Sequence, residues 1–197
     1  LVDAVRGHEL SYYDLPRVAG VRAVFGYFGG LTSETGVRLI LDAAKYLEHD
    51  ERIGFVFAGR GELEQTLLER TASSSNVEFL GLLSREETLS CMAQCRGTFA
   101  IHDAFQSRLG NSVKVIESIA VDVPPIISSD FEMPADLEDK CVRVRGRTAE
   151  AIVDTVRGLT DTPKQSIIDS SVHEYSIERI VQRVIIPSYM RLLRGVD

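Results

Sequence analysis

The residues best equipped for chemistry in this chain lie between Gly110 and Ile127, in the run GNSVKVIESIAVDVPPII. Gly110, Asn111 and Ser112 form a helix-start signal, and the amphipathic helix that follows carries Lys114 and Glu117. A helix N-terminus offers unpaired backbone N–H groups to an anion. A carboxylate early in the same helix can accept two hydroxyl hydrogen bonds at once, which suits a vicinal diol. The combination points to a ligand with both negative charge and sugar-like hydroxyls.

Two glycine turns are placed to complete such a site. Gly29-Gly30 can expose backbone N–H groups as an anion nest. Gly59-Arg60-Gly61 reads as a tight strand-to-helix turn, with Arg60 on the ligand rim; Arg108 is a second candidate there for positive charge. His102-Asp103 invites an acid–base reading, but neighbouring strand residues point to opposite faces and form no dyad by themselves. His102 therefore stands as a candidate ligand contact, and no catalytic residue is assigned. His8, His49 and His173 carry no pattern. Cys91 and Cys95, four apart on one helix face, read as buried core thiols. With Cys141 they make an odd, sparse set that suits a reducing compartment rather than a disulfide framework. No His or Cys set completes a zinc site, so no metal is expected.

Strands and helices alternate behind these motifs. Strands are expected over Val21–Phe28, Ile53–Ala58, Asn76–Leu80, Thr98–His102, Pro125–Ser128 and Cys141–Val144. Helices are expected over Thr35–Leu47, Glu62–Thr71, Ser84–Cys95, Ser112–Val121 and Thr148–Leu159, from apolar residues at helical spacing. Ser84 and Glu87 make a capping box. A long closing helix over Ser176–Leu193, bent or broken at Pro187, carries a broad apolar stripe that needs a cover. Continuous apolar strands alternating with amphipathic helices imply an α/β fold, a doubly wound parallel sheet covered on both faces. Ligands of such sheets sit at the carboxyl ends of the strands. The loops to read are therefore Gly29–Thr35, Gly59–Glu62, Asp103–Ser112 and Ser128–Asp130.

The totals agree with one such domain. The chain has 197 residues, 44% hydrophobic and 26% charged, enough for one full core. A net charge of −7 and a pI of about 5.2 argue against nucleic-acid binding through a basic face. No apolar run approaches the roughly 18 residues that span a bilayer, no signal peptide is read in this stretch, and a cytoplasmic location is expected. Residue 1 is Leu, so an excised piece of a longer protein is the simplest expectation. Residues 1–20 read as a connecting segment and 21–197 as the domain.

Taken in order, FGGLTSETGVRLILDAA, FAGRGELEQTL, NVEFLGLLSREE, GNSVKVIESIAVDVPPII and the terminal HEYSIERIVQRVIIPSYMRLL resemble the C-terminal domain of a family-4 (group 1) retaining glycosyltransferase of the GT-B fold. The resemblance covers roughly residues 21–195 and rests on five motifs in register. It implies a Rossmann-like domain that binds a nucleotide-diphosphate sugar, as part of a two-domain enzyme whose absent N-terminal domain holds the acceptor. Such an enzyme transfers a hexosyl group in polysaccharide or glycoconjugate synthesis with retention of configuration. It needs no cofactor or obligatory metal, and touches a membrane, if at all, through the absent domain.

Glu117 matches the second Glu of the family's Glu-x7-Glu motif, the residue that binds the ribose hydroxyls. Leu109 stands where the first Glu falls, Gly30 where the family has an Arg, and Thr35 where it has a Lys; the two basic residues clamp the donor diphosphate. A looser Asn-x-x-Lys-x-x-Glu form is met by Asn111, Lys114 and Glu117. Gly29, Gly30, Gly110, Asn111, Ser112, Arg60 and Arg108 are the groups that could replace the lost clamp. Two rivals follow. One is a degenerate transferase fold kept as a binding or assembly module. The other is a nucleotide-sugar epimerase, which would need a self-contained acid–base pair.

Overall fold

A computed structural model describes residues 13–15, 18, 20–102, 113–133 and 135–167. Arg108, Gly110, Asn111, Ser112 and the expected closing helix over Ser176–Leu193 lie outside the described residues.

The apolar runs form six parallel strands: β1 (Ala23–Phe28), β2 (Ile53–Ala58), β3 (Val77–Phe79), β4 (Gly97–Ala100), β5 (Pro125–Ile127) and β6 (Val142–Arg143). Between them lie helices α1 (Val37–Tyr46), α2 (Glu64–Ser73), α3 (Arg85–Ala93), α4 (Val113–Ala120) and the short α5 (Ala135–Glu138), with α6 (Ala149–Asp161) last among the described residues. The sheet order is β3-β2-β1-β4-β5-β6, so the chain reverses its direction of travel between β1 and β4. That reversal opens a crevice at the strands' carboxyl ends.

Strand periodicity divides the core in two. Phe25, Tyr27, Phe55, Phe57 and Phe99 enter one cluster, with Val37, Ile40 and Ala44 of α1, Leu67 of α2 and Ile152 and Val156 of α6. Phe25 lies 6.3 Å from both Phe55 and Phe99, whose rings stack at 8°. Phe28, Val56 and Ala58 enter the other cluster, with Leu89, Met92 and Cys95 of the α3 region and Val115 and Ile119 of α4. Burying Phe or Leu side chains contributes about 1.5–3 kcal/mol each, and it is this double burial that demands near-continuous apolar strands. Leu15 and Val18, in the segment read as a connector, belong to the second cluster.

The element ends follow local chemistry. Ser84 caps α3 in a full capping box with Glu87, and Thr148 caps α6 by accepting from the Ala151 N–H. The turn after α4 places Asp122 at φ 61°, and its carboxylate accepts the N–H of Ile167 at 2.8 Å. Cys91 and Cys95 are buried as expected. Burial pushes the Cys91 thiol up to about 12 and the Cys95 thiol well above its ordinary value, so neither offers a thiolate near neutrality.

Candidate functional site

The ends of β1, β2 and β3 are zipped together by main-chain hydrogen bonds that extend the ladder into the loops. Gly29 N–H donates to Ala58 O at 2.9 Å, Leu31 N–H to Arg60 O at 2.8 Å, and Gly59 N–H to Gly81 O at 2.8 Å. Gly59 and Gly61 adopt φ of 143° and 155°. A Cβ at Gly59 would stand 1.8 Å from the Gly29 carbonyl oxygen. Only glycine permits this approach. The hydrogen bond from Gly29 also narrows the expected anion nest. Its N–H is spent within the sheet, whereas the Gly30 N–H has no acceptor among the described residues.

Above this floor lies a cleft of about 300 Å³, lined by Phe28, Gly29, Gly30, Gly59, Arg60, Leu82, Leu83, Thr88 and Glu117 among others. It brings together four of the expected site residues: Gly29, Gly30, Arg60 and Glu117. Arg60 is exposed and makes no ion pair among the described residues.

Glu117 sits in α4, a helix anchored by Ser118. The Ser118 hydroxyl donates to Val123 O at 2.7 Å and accepts from the Thr98 hydroxyl at 2.5 Å, joining α4 to β4 and to the turn before β5. The Glu117 side chain is 14% exposed and pairs with Arg85 Nη1 at 3.2 Å. Burial raises its pKa from the ordinary carboxylate value, making it a weaker acid, while the Arg85 and Lys114 charges oppose that rise.

Lys114 turns beneath the Gly29-Gly30 loop. Its Nζ lies 4.6 Å from the centre of the Tyr27 ring and 3.4 Å from Tyr27 Oη. The Tyr27 hydroxyl in turn donates to Gly30 O at 2.7 Å. Burial brings the Lys114 ammonium down to about 8, with Glu117 acting against the shift. A buried cation drawn from α4 therefore lies directly under the turn that carries Gly30 and Thr35. Thr35 serves the loop instead, its hydroxyl donating to Thr32 O at 2.7 Å.

His102 is held by its backbone. It forms an antiparallel bridge with Thr35, its N–H donates to the Ser128 hydroxyl at 3.2 Å, and its carbonyl accepts from Arg147 at 2.9 Å. Its ring lies 6.1 Å from Phe131, and it is not among the cleft-lining residues. Among the described residues, no cluster of three or more His, Cys, Asp or Glu is placed to hold a metal ion. Among the same residues no helix is long and apolar enough to cross a membrane.

Reading from sequence missed Arg85, Tyr27, Leu82, Leu83 and Thr88. The loop after β3 follows the same rule as the loops after β1 and β2, and its place at the strands' carboxyl ends was the available signal for Leu82 and Leu83. Tyr27 looked like one more aromatic of a buried strand.

The profile of the family described as Glycosyl transferases group 1 matches residues 22–162. No curated protein sequence matches the chain. Among solved structures, the C-terminal domain of a group 1 glycosyl transferase, LpcC from Francisella tularensis, is similar with a TM-score of 0.62 at 17% identity. The similarity covers 86% of this chain and 97% of that one. WaaG, a glycosyltransferase involved in lipopolysaccharide biosynthesis, gives 0.58 at 15% identity over 74% of this chain and 40% of its own. An α,α-trehalose-phosphate synthase (UDP-forming) from Burkholderia xenovorans gives 0.61 at 11% identity over 91% and 44%. The chain thus spans under half the length of the latter two. At these identities the likeness speaks for the fold.

Proposed function

The chain belongs to the group 1 glycosyl transferases, and on that premise we propose that it is the donor-binding half of a two-domain enzyme that transfers a hexosyl group from a nucleoside diphosphate sugar. The observation that carries this reading is the placement of Glu117 in one cleft with Gly30 and Arg60, at the strand ends where a doubly wound sheet takes its ligand. Glu117 accepts the ribose hydroxyls. Leu82 and Leu83 offer an apolar wall to the base. The diphosphate lies over the Gly29-Gly30 turn, where the Gly30 N–H, Arg60 and Lys114 supply the charge complement. Gly110, Asn111 and Ser112, which the sequence pattern offers as anion donors, and Arg108 as a further cation are proposed to add to it, though they lie outside the described residues.

These groups hold and orient the donor, and they stabilise negative charge as the diphosphate leaves with retention at the sugar. No metal or cofactor is needed for that role. The acceptor is held by an N-terminal domain of the same protein, and turnover needs both halves closed around the substrates. The free, largely buried thiols suit a cytoplasmic site of action, and polysaccharide or glycoconjugate synthesis is the process this donor chemistry serves.

Calorimetric titration of the chain with uridine, adenosine and guanosine diphosphates and their sugars tests the reading. Saturable binding of at least one nucleotide is expected. Silence at millimolar concentration for all of them would favour the degenerate assembly module that Gly30, Thr35 and Leu109 otherwise suggest.

A further inference from the structure

Arg85 has no evident task in the fold. Helix α3 is capped without it, by Ser84 and Glu87, and its side chain is 54% exposed. An ion pair with so exposed a partner contributes little to stability. Yet Arg85 reaches from the first turn of α3 to α4, where its guanidinium meets Glu117 Oε1 at 3.2 Å. The pair is asymmetric. The carboxylate has lost most of its water while the guanidinium keeps its own.

We propose that Arg85 is a positioning residue for the donor nucleotide: by pairing with one oxygen of Glu117 it keeps that carboxylate charged and aimed into the cleft, so that both ribose hydroxyls are accepted. The inference rests on the ribose-binding role given to Glu117. Each carboxylate oxygen has two lone pairs, so Oε1 can hold Arg85 and a hydroxyl together while Oε2 takes the second hydroxyl. A protonated carboxyl would present a donor in place of one acceptor and lose the charge that strengthens both bonds. The other charged groups facing Glu117 cannot replace Arg85. Lys114, on the same helix, is engaged with the Tyr27 ring and hydroxyl. Arg60, from the loop after β2, lines the same cleft without pairing to Glu117 among the described residues. Thr88 of α3 is neutral.

The test compares the wild-type chain with Arg85→Ala and Arg85→Lys. Each is titrated by calorimetry between about pH 5 and 8 with the tightest-binding nucleoside diphosphate and with its 2′,3′-dideoxy counterpart. Carbon-13 NMR follows the Glu117 carboxyl without nucleotide. Arg85→Ala is expected to weaken the ribonucleotide about tenfold near neutrality and to move the acid limb of binding, and the Glu117 titration, upward by about one pH unit. It leaves the dideoxynucleotide unaffected, because that ligand lacks both hydroxyls. Arg85→Lys restores most of the loss. Equal weakening of both nucleotides would make Arg85 a phosphate contact, and tighter binding would make it a competitor for Glu117; either overturns the proposal. If the wild-type chain binds no nucleotide, or cannot tell the two sugars apart, the ribose reading itself falls. The Glu117 titration then decides alone whether Arg85 controls that carboxylate, and an unmoved titration in Arg85→Ala overturns it.

Discussion

On the proposed reading, Lys114 supplies the diphosphate with a charge that Gly30 and Thr35 do not. The turn after β1 carries Gly30 and Thr35 at the positions where the resemblance implies an Arg and a Lys, and a buried cation from α4 lies against the neighbouring Gly29 and Tyr27. Holding that ammonium in a dry place has a cost. Its folded-state value of about 8 lies below the ordinary 10.5, so the unfolded chain binds the proton more readily between those values. Stability therefore rises with pH from about 8 to 10.5, and the full penalty applies below about 8. Lys114→Met should stabilise the fold by on the order of 1–3 kcal/mol at neutral pH, read by urea unfolding, and should weaken nucleotide binding about tenfold or more. In the wild-type chain, affinity should be full below about pH 8 and fall as the ammonium loses its proton above it. A variant both less stable and equally able to bind would refute the role. Gly30 offers the converse test. A Cβ there meets nothing within 4 Å, so Gly30→Arg should be tolerated with a stability change of under about 1 kcal/mol. By restoring a guanidinium over the diphosphate it should tighten binding about tenfold, measured by the same calorimetry.

At the scale of elements, the cleft is a product of close-packed loops. Gly59→Ala would drive a Cβ into the Gly29 carbonyl at a φ of 143°. It should destabilise the domain by roughly 2–4 kcal/mol in chemical unfolding, and blunt nucleotide binding by moving the floor. Gly81→Ala, with open space around it, should cost less, about 1 kcal/mol for its φ of 68°. This scale also explains what sequence could show. The strands were legible because both faces are buried, which forces unbroken apolar runs. Helix α4 was legible because its polar residues sit at local spacing behind a start signal. Arg85 was not, since its partner is set by a crossover. Helix α3 leaves the edge strand β3 and returns to β4, which lays it beside α4. No local pattern announces a contact made that way. The Gly29 N–H was misjudged for the same reason, because its acceptor Ala58 comes from the neighbouring strand.

At the scale of the molecule, the sheet order puts the reversal between β1 and β4. Glu117, on the helix after β4, is thereby set against the loops after β1, β2 and β3. On the proposed reading this half takes the donor and another domain takes the acceptor; the chain spans 40% of WaaG and 44% of the Burkholderia xenovorans synthase. The central claim is that this cleft binds a nucleoside diphosphate through the ribose. The most direct measurement is calorimetric affinity for the tightest-binding nucleoside diphosphate in the wild-type chain and in Glu117→Ala, with the melting temperature of each recorded alongside. Loss of two coupled hydroxyl bonds should reduce affinity on the order of 10–100-fold, while stability changes by under about 1 kcal/mol. Unchanged affinity in Glu117→Ala, in a chain that binds nucleotide measurably, would contradict the account.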